Sequence, residues 1–200
     1  MIAIVDYGIG NIHSLISALG EENVVLTAEA EVLQTADLVI LPGVGAFAYA
    51  MAALEEKGLI PILNALYRSG KWMVGICLGM QLFYESSDEH GFSRGLGFLK
   101  GHVTQLPQAV RLPHMGWNVL EVDNSSTPLL KGIGNDAYAY FVHSYYASEV
   151  QPETVMASTT YGTQIPAVVQ SGKVVGFQFH PEKSGQLGRL LIENLKEMIA

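Results

Sequence analysis

Four short apolar runs, Ile2–Val5, 24–26, Leu38–Leu41 and Trp72–Ile76, punctuate the first part of the chain with almost no polar alternation. That pattern predicts strands buried on both faces. Between them the apolar period lengthens. Ile12, Leu15, Ile16 and Leu19 follow helical spacing and stop at Gly20, while 47–57 and 59–69 read as helices closed by Gly58 and Gly70. Strands alternating with helices predict a parallel sheet covered on both sides. From residue 96 to 175 the rhythm changes to short β-like runs at 96–99, 103–106, 117–122, 138–142, 155–160 and 167–170, broken by Gly, Pro, Asn and Ser. These predict an antiparallel extension of the sheet. A strand at 174–179 and an amphipathic helix carrying Leu187, Leu190, Leu191, Leu195 and Met198 follow. The expectation is one α/β domain over 1–200, a three-layer arrangement with a mainly parallel central sheet, helices on both faces and an antiparallel β extension. No repeat, low-complexity tract or linker interrupts it.

Composition narrows the setting. The 200 residues are 49% hydrophobic, enough for a sizeable core. A formal net charge of −8 argues against a nucleic-acid partner and gives no support to binding an anionic membrane. No long apolar segment is present, and Met1 runs directly into a strand rather than a basic leader, so a cytoplasmic protein is expected. A single cysteine excludes an intramolecular disulfide.

That cysteine, Cys77, sits in Gly75-Ile76-Cys77-Leu78-Gly79, between an apolar run and a helix-like stretch over 78–84. Small residues two positions either side of a nucleophile permit a sharp strand-to-helix turn. The turn would set the sulfur at a helix N-terminus, where the dipole and free N–H groups favour thiolate. Taken alone, Cys77 is equally well read as a buried structural side chain. A candidate base and an orienting carboxylate lie in Phe177-Gln178-Phe179-His180-Pro181-Glu182. His180 ends a strand where Pro181 stops ladder pairing, and Glu182 is close enough to return to the imidazole and fix its tautomer. Nucleophile, base and orienting carboxylate are the parts of a triad, in an order that varies between folds.

Two glycine-rich stretches invite a nucleotide-binding reading. After Gly8-Ile9-Gly10 the third glycine position of a dinucleotide fingerprint is His13, and Gly43-Val44-Gly45-Ala46-Phe47-Ala48 lacks an acid about twenty residues on. No phosphate-binding loop with Gly-Lys-Ser/Thr is present. Dinucleotide binding stays a weak alternative, and no cofactor or metal is expected. An oxyanion hole suits Gly43-Val44-Gly45 better, with the N–H of Leu78 as second donor; an ordinary turn remains open at this point.

Pro42-Gly43-Val44-Gly45, Gly75-Ile76-Cys77-Leu78-Gly79-Met80-Gln81 and Phe179-His180-Pro181-Glu182 together resemble class I, triad-type glutamine amidotransferases. Asp6-Tyr7-Gly8-Ile9-Gly10-Asn11, Leu112-Pro113-His114-Met115-Gly116-Trp117-Asn118, Tyr140-Phe141-Val142-His143-Ser144-Tyr145 and the run from Gly176 to Ser184 are similar to the glutaminase subunits of imidazole glycerol phosphate synthases. The likeness spans nearly the whole chain. It implies a flavodoxin-like fold, hydrolysis of glutamine through a cysteinyl thioester on Cys77, His180 and Glu182, and an oxyanion hole at Gly43, Val44 and Leu78. It further implies that Gly45, Gln81, Glu89, Ser144 and Tyr145 hold glutamine. Asn11, Met115, Trp117, Tyr140 and Lys183 would face a (β/α)8-barrel synthase subunit in a heterodimer, the barrel consuming the ammonia in histidine biosynthesis. Trp117 has an independent case, since Trp is enriched at interface hot spots, although a core aromatic reads equally well. Glutaminases of pyridoxal-phosphate, anthranilate or purine synthases, a stand-alone cysteine hydrolase and a catalytically dead scaffold are the competing readings.

Overall fold

The computed structural model describes residues 1–199. In chain order, its first half holds β1 (Ile2–Val5), α1 (Ile12–Leu19), β2 (Val24–Thr27), α2 (Ala30–Thr35), β3 (Leu38–Leu41), α3 (Phe47–Glu56), α4 (Leu59–Arg68) and β4 (Trp72–Ile76). After β4 come α5 (Leu78–Gln81), β5 (Ser86–Ser87), β6 (Ser93–Arg94), β7 (His102–Gln105), β8 (His114–Val119) and β9 (Glu121–Val122). The chain continues with β10 (Tyr138–His143), β11 (Tyr145–Ser148), β12 (Val155–Thr160), β13 (Gln164–Ser171), β14 (Val174–Phe177) and α6 (Gly185–Ile199).

The main sheet has the order β2-β1-β3-β4-β14-β13-β12-β9. It is parallel from β2 to β14 and antiparallel from there to β9. Successive strand residues face opposite ways, and the core divides accordingly. Ile2, Ile4, Leu38, Ile40, Val74 and Ile76 pack with Leu15 and Leu19 of α1 and Leu187 and Leu191 of α6. Ala3, Val5, Val39, Leu41 and Met73 pack on the other face with Leu33, Phe47, Leu54, Leu59 and Leu63 of α2, α3 and α4. The expected layers are therefore present.

The middle of the chain departs from expectation in detail. Only β9, β12 and β13 extend the main sheet; β8 and β10 form a separate two-stranded unit, and β11-β7-β5-β6 a third small sheet. Residues 96–99 are a loop, not a strand. Their N–H groups are taken by the turn after α5, with Leu96, Gly97 and Leu99 donating to the carbonyls of Leu82, Tyr84 and Phe83. The apolar character of this loop comes from packing: Phe98 stacks on Tyr67 with ring centroids 4.4 Å apart. Such pinning uses the backbone groups that a ladder would need.

The register of β4 with β14 brings the two halves of the site together. Gly75 pairs with Gly176 and Ile76 with Phe177, so Cys77 and the segment ending at His180 leave the sheet from adjacent strands. Both leave at the carboxyl ends of parallel strands, where open α/β sheets place their ligands.

Candidate active site

Cys77 turns the chain from β4 into α5 with φ 54° and ψ −112°, a region that a non-glycine residue occupies only when its surroundings enforce it. The two flanking glycines explain how. A Cβ on Gly75 would lie 2.6 Å from the Met80 nitrogen, and one on Gly79 would overlap the Leu41 carbonyl oxygen. Gly43 closes the third side, since a Cβ there would stand 2.6 Å from the Gly79 nitrogen. The Gly43-Val44-Gly45 segment therefore lies directly against the elbow. Tyr7 holds it there, donating its buried hydroxyl to the Pro42 carbonyl at 2.5 Å. Burial, together with nearby Cys77, pushes the Tyr7 phenol well above its ordinary value and keeps it a donor. The helix leaving the elbow is shorter than the 78–84 stretch expected: α5 is a single turn. Cys77 thus meets local N–H groups, not the dipole of a long helix. Leu78 is the first residue of that turn, and the first N–H groups of a helix have no partner within it.

His180 and Glu182 occupy the loop after β14, where Pro181 opens a tight turn. The imidazole Nδ1 is 2.8 Å from Glu182 Oε1, with both side chains almost completely buried. Nε2 of His180 is buried without a hydrogen bond of ordinary geometry, and Cys77 is its neighbour in the same cavity. Burial alone would pull the imidazolium pKa down. Hydrogen bonding and negative charge from Cys77 and Glu182 outweigh that and raise it to about 9. The turn is itself braced: Ser184 donates its hydroxyl to the His180 carbonyl at 2.7 Å, and His180 N–H donates to Tyr140 O at 3.1 Å.

Around the sulfur is a cavity of about 250 Å³, lined by Val44, Gly45, Cys77, Leu78, Gln81, Glu89, Val142, His143, Ser144, Tyr145 and His180. All five residues expected to hold glutamine are on its wall. Gly45 has φ +97°, which lets the segment bend beside the sulfur. Buried Glu89 accepts the Phe47 N–H at 2.7 Å, so its carboxylate sits at the start of α3 as well as in the cavity. Gln81 donates to the Tyr145 carbonyl at 2.8 Å and to Gln178 Oε1 at 3.0 Å. Two contributors are not evident from the sequence. Gln178 is fully buried and directs its amide towards Cys77 Sγ at 4.0 Å, and His143 forms wall. Gln178 lies one residue beyond β14 among apolar neighbours, and a fully buried amide in that position is the signal that could have marked it.

The residues expected at a partner surface lie outside this cavity. Asn11, Met115, Trp117 and Lys183 are exposed and Tyr140 is half-buried. Trp117, 57% exposed, meets Tyr140 edge-on at 5.9 Å across β8 and β10. It is therefore a surface aromatic and not core filler. Tyr138, in the same alternating row as Tyr140, adds a second exposed aromatic ring beyond those expected from the sequence.

The family model for class-I glutamine amidotransferases matches residues 3–197. Among curated relatives, the imidazole glycerol phosphate synthase subunit HisH of Oceanobacillus iheyensis is 49% identical over 201 residues, covering all of both chains. The subunit of the same name from Lactiplantibacillus plantarum is 50% identical over 205 residues, covering 100% of this chain and 97% of the relative. The chain belongs to the class-I glutamine amidotransferases, among the HisH subunits. Solved structures place the same fold on more distant sequences. PurLQS from Thermotoga maritima superposes with a TM-score of 0.76 at 22% identity, covering 100% of this chain and 98% of that one. The fold of this amidotransferase is thus shared well beyond its near relatives. No helix among the described residues is long and apolar enough to cross a membrane.

Proposed function

We propose that the chain is the glutaminase subunit of an imidazole glycerol phosphate synthase, with Cys77 as nucleophile, His180 as proton carrier and Glu182 as the carboxylate that orients it. The single observation that supports this most is the buried His180–Glu182 pair at 2.8 Å, set beside a strained cysteine in a cavity of amino-acid size. With His180 protonated and Cys77 as thiolate, sulfur attacks the glutamine carboxamide carbon. The C=O electrons move onto oxygen, which the N–H groups of Val44 and Leu78 receive. His180 gives its Nε2 proton to the departing nitrogen, the C–N bond breaks, and ammonia leaves a γ-glutamyl thioester. Water then adds as neutral His180 takes its proton, the C–S bond breaks, and glutamate leaves with the thiolate restored. Glu182 accepts from Nδ1 throughout, which keeps Nε2 as the exchanging nitrogen. Glu89 supplies a carboxylate for the substrate ammonium, Gln81, Ser144 and Tyr145 complete the wall, and Gly43 and Gly45 give the backbone of the oxyanion segment its room.

Ammonia reacts as a nucleophile only while unprotonated, so a synthase gains from receiving it directly. The exposed row of Met115 and Trp117, with Tyr140, Lys183 and Asn11 nearby, is the surface we assign to a (β/α)8-barrel synthase subunit. A cytoplasmic setting accords with a single reactive cysteine that has no second cysteine to pair with. The test is glutamate release from glutamine, with and without the barrel subunit and its nucleotide ligand. Weak release by the chain alone, a rise on adding the partner and loss in Cys77→Ala are expected. Full turnover without any partner, or failure to rescue a histidine auxotroph lacking its glutaminase on limiting ammonium, would refute the reading.

A further inference from the structure

Two more histidines are buried beside the cavity: His143 on β10, 6% exposed, forms part of its wall, and His114 on β8, 3% exposed, lies behind it. They face each other in register across the two strands. His114 Nδ1 is 2.9 Å from His143 Nε2, and His143 Nδ1 is 2.9 Å from the carbonyl oxygen of Tyr145. A carbonyl can only accept, so His143 carries its hydrogen on Nδ1 and offers Nε2 as an acceptor. His114 must then donate from Nδ1, which leaves its Nε2 to accept from the Asn118 amide at 3.2 Å. Every proton in the row is thereby fixed, and both rings are neutral. Their surroundings agree. Burial lowers the pKa of His114 to about 4. Burial, reinforced by His114 and His180 and opposed by the Tyr145 carbonyl, lowers that of His143 to about 3. His114 is also held between the rings of Phe141 and Tyr161, with centroids 4.8 and 4.1 Å away.

The Tyr145 carbonyl is where this row meets the site. It accepts from His143 on one side and from Gln81 on the other, which fills its two lone pairs. Both ring nitrogens of His143 are engaged in the row, so neither is left to exchange a proton with substrate. We propose that His114 and His143 are positioning residues of the glutaminase reaction: as a neutral pair of fixed tautomer they hold the Tyr145 carbonyl, and through it Gln81 and the wall at Ser144 and Tyr145, in the shape that receives the glutamine side chain. The proposal rests on the glutaminase reading above.

Steady-state glutamate release by the full chain in the presence of the barrel subunit and its nucleotide ligand tests it. His143→Leu removes one of the two donors to Tyr145 and is expected to raise KM for glutamine about tenfold while kcat changes by less than about threefold. His143→Asn presents an amide N–H near the place of Nδ1–H and is expected to bring KM back to within about threefold of the wild type. His114→Phe, which keeps an aromatic ring between Phe141 and Tyr161 but leaves His143 without its donor, should raise KM by a smaller factor. The double variant should be no worse than His143→Leu alone, because both changes act through one carbonyl. Alkylation of Cys77 by iodoacetamide supplies a readout independent of glutamine, and its rate is expected to hold within about twofold in each variant, since the elbow is fixed by β4 and its glycines. An unchanged KM in His143→Leu overturns the proposal, as does a parallel fall of kcat and alkylation rate that marks general loss of fold. Should His143→Leu not fold, His114→Phe carries the same comparison. Absence of glutamate release by the wild type overturns the glutaminase reading and this proposal with it, whereas wild-type turnover with unchanged KM in the variants overturns this proposal alone.

Discussion

Replacing Glu182 by Gln keeps the shape of the His180 partner and removes its charge. The pKa of His180 stands at about 9 against an ordinary 6.5, a rise equivalent to about 3 kcal/mol favouring the protonated ring in the folded protein. Because the folded value lies above the unfolded one, this stabilisation is complete below about pH 6.5 and disappears as the pH climbs through 9. Cys77 and Glu182 share it. A charge-assisted hydrogen bond between groups as buried as His180 and Glu182 exceeds a neutral one by about 1.5 kcal/mol, so Glu182→Gln should lower the His180 pKa by about one. The assay is urea unfolding of wild type and variant between pH 6 and 10. The wild-type advantage should be largest near pH 6 and shrink by about 1.5 kcal/mol towards pH 10. Glutamine turnover should fall at least about a hundredfold, because a glutamine amide can present N–H to Nδ1 and select the wrong tautomer. A stability difference that is flat with pH, or that grows towards pH 10, would refute the assignment of His180 as the group held protonated by its neighbours.

Gly79→Ala drives a methyl group into the Leu41 carbonyl; it should cost about 3 kcal/mol or more in denaturant stability and abolish turnover. Gly58→Ala serves as its control, because that glycine has φ +66° but open space around its Cβ position, and should cost only about 1 kcal/mol without loss of activity. Glu89→Gln preserves an acceptor for the Phe47 N–H but removes the counter-charge proposed for the substrate ammonium. KM for glutamine should rise about tenfold with little change in kcat or Tm, read from steady-state kinetics and thermal unfolding.

What can be read from the residues tracks the strength of the local physics. Strands β1, β3 and β4 are uninterrupted apolar runs, buried on both faces, and nothing but a parallel sheet accounts for them. The elbow is legible because Gly75 and Gly79 are demanded by backbone contacts, and His180 with Glu182 because a hydrogen bond two residues apart needs no tertiary information. α2 leaves no signal, since Leu33 is its only buried residue. The loop 96–99 reads as a strand because burial of Phe98 and Leu99 makes an apolar run whatever the backbone does. β13 is expected too late, at 167, because Pro166 reads as a breaker; Pro166 pairs with Ser158 of β12 beside a register shift, so its missing N–H falls where that ladder is already irregular. Gln178, Tyr7 and His143 share one obstacle. Each matters through a partner distant in the chain, and a single sequence does not show which polar side chains will be buried together.

The place of β14 in the sheet also bears on how the protein is made. The strand last in chain order sits between β4 and β13, and it alone joins the parallel half of the sheet to the antiparallel half. Until residues 174–177 have left the ribosome, β4 and β13 each present an open edge of the kind that recruits other chains. During that interval Cys77 has emerged while His180 and Glu182, which follow β14 in the chain, have not. On the proposed mechanism a nascent chain is therefore unable to consume glutamine, and the strand that seals its vulnerable edges is the one that brings in His180.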